Sequence, residues 1–296
     1  MKRLLITGSA GFIGRETIKK LSHFKEFEIY TIDLLGSGSN HFNLDINSPV
    51  VKAKFLEIRP DVVIHLAAQV DVISSIDNPI EDITANAIGT LNLLQASRSA
   101  GTQEFIFIGS GGAIYDSSNE MPVSESGRIL PVSPYGISKY AAESYVRILA
   151  ESYGLHWTSL ALSNCYGDIE SHGRGVIFAF CKALTEGSSP QINGPDVTRD
   201  FIHVQDVANA IFLSIGKKLN TRINISSNTE TSLIELFTEI SKILDVDIDP
   251  KVMSPRDGDV VQSRLDNTKA AKLLGWRPEI SLQDGLRMSI NGHLTQ

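Results

Sequence analysis

Three glycines at three-residue intervals, Gly8, Gly11 and Gly14, follow the apolar run Leu4-Leu5-Ile6 and constrain this chain more than any other feature. The run reads as a short buried strand. The glycines carry it into a helix through a tight turn that needs positive φ and close backbone approach. A helix opening there points N–H groups and the positive end of its dipole into the turn, where an anion is stabilised. The spacing differs from the standard G-x-G-x-x-G, so the context must support it. A second strand-like run, Glu28 to Ile32, ends in Asp33, 19 residues past Gly14. A carboxylate at a second strand's end, about 20 residues on, suits the two ribose hydroxyls of a dinucleotide's adenosine half.

Short apolar runs alternate with helical patterns through the first half, which predicts parallel βαβ units. Strands are expected at 3–7, 28–32, 61–65, 104–109 and 155–162, with helices near 12–23, 48–58, 80–100 and 134–153. Val62-Val63-Ile64 and Phe105-Ile106-Phe107-Ile108 are continuous rather than alternating, as strands covered on both faces require. The expected fold class is α/β, an open Rossmann-type doubly wound parallel sheet. Beyond about residue 165 glycines loosen the pattern, and helices are expected near 175–186, 204–216, 232–244 and 267–274. Residues 1–165 are read as the dinucleotide-binding domain, with about 196–230 returning to it, and 166–296 as mainly a smaller α/β substrate lobe.

The bulk properties narrow the function classes. A net charge of −7 argues against a broad nucleic-acid-binding face, which needs a basic stripe. Cys165 and Cys181 form no disulfide or metal pattern, which fits a reducing, cytoplasmic address. The seven histidines show no ligand spacing, so no metal is expected. Lys2-Arg3 precedes an apolar run that Thr7 and Gly8 end too early for a signal peptide. No segment approaches the ~18 apolar residues of a membrane span.

The stretch from 134 to 153 is clearly punctuated. Ser133 can cap the first N–H groups, Pro134 suits the first helical position, and Gly154 offers a left-handed stop. Tyr135 and Lys139 then share a face, one turn apart. A free tyrosine has a pKa near ~10 and is a poor base at neutral pH. An ammonium one turn away favours its phenolate, and such a tyrosine can take a proton from a sugar hydroxyl while a nicotinamide cofactor accepts the hydride.

With these residues in place, the chain resembles the extended short-chain dehydrogenase/reductase superfamily, in its NAD-dependent epimerase/dehydratase group typified by UDP-glucose 4-epimerase. The resemblance runs from Leu4 to about Leu286. It implies NAD held by the turn Thr7–Gly14, with Gly8, Gly11, Phe12, Ile13 and Gly14 against the cofactor. Asp33 matches the NAD-selecting acid and Asp45-Ile46 the adenine contact. His65 to Gln69 resembles the segment beside the cofactor, placing Leu66, Ala67 and Ala68 there. Asn86 to Leu94 resembles the helix whose asparagine, here Asn86, holds the active-site region. Tyr135-Gly136-Ile137-Ser138-Lys139 matches the catalytic signature, and both Tyr135 and Lys139 would also touch the cofactor. On the substrate side, Asn164 and Arg199 match residues that grip a sugar nucleotide's diphosphate, and Arg256 and Asp259 match a late motif holding diphosphate and ribose. Arginine's fork suits phosphate oxygens. The resemblance further implies a UDP- or dTDP-linked sugar as substrate, and a homodimer paired through the helices near 80–100 and 134–153.

The pattern breaks at one place. In the group a Ser or Thr four residues before a Val-Tyr-Gly-like tyrosine orients the reacting hydroxyl, but here that position is Gly111, with Ser110 one residue earlier and Tyr115-Asp116 following. Adjacent side chains of an extended segment face opposite ways, so Ser110 is not a simple substitute. Either the glycine pair bends Ser110 in or a water stands there; Ser110 and Gly111 are both carried as substrate-side candidates, Ser110 also as catalytic. Gly111-Gly112-Ala113 supplies no acid, which counts against the related dehydratases and decarboxylases. The reading reached is C4 epimerisation of a nucleotide-linked hexose through a 4-keto intermediate. A reductase of a nucleotide-linked 4-keto-6-deoxysugar is the alternative, opposed by Asp33, whose charge repels a 2′-phosphate. A dinucleotide-sensing protein without catalysis is the third. Cys165 is expected to be inert, His65 and His203 structural, Tyr166 packed at the lobe junction, and Asp206 at a helix start.

Overall fold

The computed structural model describes residues 1–167, 175–255 and 260–294. Its first half runs β1 (Lys2–Thr7), α1 (Phe12–Leu21), β2 (Phe27–Asp33), β3 (His41–Asn43), α2 (Val50–Ile58), β4 (Val62–His65), α3 (Val72–Asp77), α4 (Pro79–Ile83), a π-helical turn (Thr84–Ile88), α5 (Gly89–Ala100), β5 (Glu104–Ser110), α6 (Pro134–Tyr153) and β6 (His156–Leu162). The second half adds β7 (Asn164–Tyr166), α7 (Gly175–Thr185), β8 (Gln191–Asn193), β9 (Thr198–Arg199), β10 (Phe201–His203), α8 (Val204–Ser214), β11 (Thr221–Ile225), β12 (Thr231–Ser232), α9 (Leu233–Leu244), β13 (Lys251–Met253), α10 (Thr268–Leu274) and α11 (Leu282–Leu294).

Seven strands form one parallel sheet in the order β11-β6-β5-β4-β1-β2-β3. The apolar runs of β4 and β5 are wholly buried because helices cover both faces. On one face Leu4, Ile6, Ile64 and Ile106 meet Val207 and Ile211 of α8 together with Trp276. On the other, Leu5, Val63 and Phe105 meet Phe55 of α2, Leu93 of α5 and Val146 of α6. A separate core joins Phe180 of α7, Phe237 of α9 and Leu286 of α11. Strand order reverses between β1 and β4, and at such a switch the carboxyl ends of the strands leave a crevice. No helix among the described residues is long and apolar enough to cross a membrane.

Three elements differ from expectation. The continuous helix expected over 80–100 is divided by the π turn, which inserts a wider coil at Asn86. Strand β11 carries Thr-Arg-Ile-Asn-Ile, whose polar residues mask a strand completed only by pairing with β6. Helix α3 has only six residues, and it forms because Asp71 accepts from Ser74 N at 2.7 Å.

Candidate active site

The turn after β1 is built as its glycines require. Gly8 has φ +72°, and a Cβ there would lie 2.6 Å from Leu66 C and nearer still to Ala67 N. A Cβ on Gly14 would overlap Gly8 O and lie 2.8 Å from Ser9 Cα. Gly11 caps α1 without a side-chain hydrogen bond, and the helix's first turn carries no acid. A dinucleotide pyrophosphate fits this cradle, with helix amides facing it and no acid in the helix's first turn. Asp33 ends β2 beside the turn: its Oδ2 accepts from Ala10 N at 2.9 Å and its Oδ1 from Leu34 N at 2.7 Å. Asp45, exposed, and Ile46, buried, follow β3 at the same end of the sheet, with Ile46 seated under Gly89. Leu66 N donates to Thr7 O at 3.1 Å and Ala67 N to Thr7 Oγ1 at 3.4 Å, so the β4 exit is stitched to the β1 exit. Leu66 and Ala68 line a cleft of about 420 Å³ together with Phe12 and Ile13.

Asn86, in the π turn, is buried and works as a clamp. Its Oδ1 accepts from Gln69 N at 2.9 Å, while its Nδ2 lies 3.0 Å from Asp82 Oδ1 and from Ser138 Oγ on α6. It thereby fixes the segment after β4 to the helix that bears Tyr135. His65 is held between Thr7 Oγ1 at 2.7 Å and Thr90 Oγ1 at 2.9 Å. Burial first, and then the Lys139 charge, push its pKa down to about 3, so it is a neutral structural residue.

Helix α6 starts as its sequence predicts, with Ser133 Oγ accepting from Gly136 N at 3.1 Å and Pro134 in the first turn. Tyr135 N donates to Ser75 Oγ of α3 at 3.1 Å, a support with no local sequence signal. Lys139 is buried, its Nζ donating to Ile108 O at 2.7 Å and lying 4.5 Å from the Phe107 ring centre. Burial lowers its pKa to about 8, against opposing pulls from Glu143 and Asp82. Burial raises the Tyr135 pKa, with Ser110 opposing the rise and Asp82 adding to it.

Ser110 opens onto the same cleft as Tyr135 despite its offset in the sequence. Ser110 pairs with Leu162 across the sheet, and the next two amides both converge on Leu162 O, Gly111 N at 2.8 Å and Gly112 N at 3.2 Å. Strand β5 ends there, with both amides tied to one carbonyl of β6. Ser110, Gly112 and Ala113 line the cleft. Gly111, expected at the substrate, instead faces Leu265, whose Cδ1 a Cβ would overlap. Asp116 serves its own loop, where Ser118 N donates to its Oδ1 at 2.9 Å and Arg128 lies 3.2 Å away, both holding its carboxyl below the usual range.

The far wall of the cleft comes from the second half. Asn164 and Arg199 line it, with Arg199 Nη1 donating to Thr198 O at 2.8 Å and Val260 O at 2.7 Å. Arg256 and Asp259 lie outside the described residues. Burial drives the Cys165 thiol pKa far upward, as an inert cysteine requires. Tyr166 stands edge-on to Phe201 and His203. Asp206 sits in the first turn of α8 and accepts from Glu279 N and Ile280 N, both at 3.1 Å. Sequence reasoning missed Val70, Val72 and Phe178, apolar residues that also line the cleft but carry no chemical signature.

The model of the NAD dependent epimerase/dehydratase family matches residues 4–226. A protein from Methanocaldococcus jannaschii described as a putative UDP-glucose 4-epimerase is 36% identical over 299 residues, covering 97% of each chain. The structure of the Thermotoga maritima UDP-glucose 4-epimerase with UDP-glucose superposes with a TM-score of 0.93 at 36% identity, covering 99% of each chain. That of the Thermus thermophilus UDP-glucose 4-epimerase with NAD does so with a TM-score of 0.89 at 31% identity, covering 98% of each.

Proposed function

The chain belongs to the NAD dependent epimerase/dehydratase family, and from that premise we propose that it interconverts the C4 epimers of a UDP-linked hexose with NAD as its cofactor. The observation that carries this reading is a single cleft that gathers Ser110, Tyr135 and Lys139 between Phe12 and Ile13 on one side and Asn164 and Arg199 on the other. NAD, when bound, supplies reversible two-electron oxidation at the sugar's C4 and a positive ring near the phenol. Tyr135 takes the C4 hydroxyl proton and later returns one, with Ser110 orienting that hydroxyl. Lys139 offers its ammonium to the nicotinamide ribose. Asn164 and Arg199, with Arg256 and Asp259, anchor the diphosphate so that the 4-keto sugar alone turns over. Among the described residues that line the cleft, none is an acid that could eliminate water.

Incubation with UDP-, dTDP-, GDP- and CDP-hexoses, with products identified by NMR, should show conversion of a UDP-hexose with no net use of added cofactor. A stoichiometric demand for NADPH would replace epimerisation with reduction. Ser110→Ala should slow turnover about a hundredfold, and adding Gly111→Ser should not restore it, because that position faces Leu265. Recovery on adding the second change would overturn the assignment of the hydroxyl.

A homodimer is part of the proposal. Ile80, Ile83, Ile88, Ile137, Tyr145 and Ile148 are between 39% and 75% exposed along α4, the π turn and α6, more apolar surface than solvated helices normally carry. Light scattering should give about twice the 32.3 kDa chain mass, and Ile148→Glu should shift the species toward monomer. A wild-type mass of one chain would exclude the pairing. The address proposed is the cytoplasm, consistent with two free cysteines.

A further inference from the structure

Glu143 lies one turn beyond Lys139 on α6, and both side chains are buried against the sheet. Arg222 reaches Glu143 from β11, its Nε donating to Oε1 at 2.6 Å. The guanidinium lies 5.8 Å from the ring centres of Tyr115 and of Tyr140. Tyr115 in turn donates to Asn224 Oδ1 at 2.9 Å. Gly109 gives the carboxylate room, since a Cβ there would come within 3.1 Å of Glu143 Oε2. The residue before it, Ile108, supplies the carbonyl that receives the Lys139 ammonium. Glu143 is thus wedged beside the strand segment that holds the lysine.

A buried ion pair is weak support for stability, because desolvation offsets the attraction, so its location needs another account. Resting on the reading of Lys139 given above, we propose that the Glu143–Arg222 pair is a positioning element that sets the charge Lys139 presents to the cofactor. The titratable groups that act on the ammonium are Glu143 from its own helix and Asp82 from α4, and His65 of β4 feels its charge. Those facing Glu143 include Arg222 from β11 and Tyr115 after β5. His65 is neutral, and Tyr115 keeps its proton at neutral pH. The carboxylates stabilise the ammonium, and Arg222 tempers one of them. Removing the Glu143 charge should therefore make Lys139 release its proton at lower pH. Removing the Arg222 charge leaves Glu143 uncompensated and should make Lys139 hold its proton to higher pH.

The test is the pH titration of the Lys139 ¹³Cε signal in lysine-labelled enzyme, identified by its loss in Lys139→Met. Glu143→Gln should lower the midpoint and Arg222→Gln should raise it, each by about one pH unit. The alkaline limb of kcat/KM on UDP-glucose should move in the same two directions. A merely structural role would weaken both variants without opposite shifts. If both midpoints move the same way, or Glu143→Gln leaves the midpoint unchanged in a cooperatively melting protein, the proposal fails. Should Arg222→Gln not fold, Arg222→Lys, which keeps the charge, must stay near the wild-type midpoint, and a rise overturns the assignment. Opposite shifts in an enzyme whose Lys139→Met variant turns over normally would instead sink the reading of Lys139.

Discussion

Tyr135→Phe should lower kcat for C4 epimerisation by about 10³- to 10⁴-fold and leave NAD bound. Phenylalanine keeps the ring and its packing and removes only the phenol oxygen from the cleft it shares with Ser110. The Lys139 contact to Ile108 O does not involve that oxygen, and neither does the cofactor turn. The loss should therefore fall on kcat, with little change in melting temperature. It should also exceed that of Ser110→Ala, because one residue moves the proton and the other only orients the hydroxyl. Product formation by NMR and the NAD content of the purified variant are the two measurements. A rate within tenfold of wild type would mean that another group is the base.

Gly8→Ala should cost about 2–5 kcal/mol of stability and empty the enzyme of NAD. A left-handed backbone costs a non-glycine residue about 1–2 kcal/mol. The overlap with Ala67 N adds an over-packing cost of about 1–3 kcal/mol, and the neighbour is backbone that cannot rotate away. Relief requires β1 and β4 to move apart at their carboxyl ends, where the pyrophosphate would lie. Denaturant unfolding and the NAD content after purification test both effects. A variant with wild-type cofactor content and midpoint would contradict the turn as described.

Local signals are legible where one stretch of chain supplies the whole cause. Ser133, Pro134 and Gly154 define α6 because capping and left-handed stops act within a turn of the residue. Gly8, Gly14 and Asp33 likewise report the cofactor turn, and Asp33 does lie against it. Contacts made across the sheet are not legible. Ser75 meets the Tyr135 amide from 60 residues away, and Arg222 meets Glu143 from 79, with no periodicity linking either pair. The π turn at Asn86 is hidden because apolar spacing continues through it. The rise in the Tyr135 pKa is hidden too, because its largest cause is burial by segments distant in the sequence.

The shared acceptor of Gly111 and Gly112 bears on how such sites should be compared. A hydroxyl can slide by one place along the chain and still open onto the same cleft. Counting letters back from Tyr115 points at Gly111, which faces Leu265, whereas the side chain that lines the cleft is that of Ser110. Alignment of these enzymes is safer when anchored on shared acceptors than on spacing.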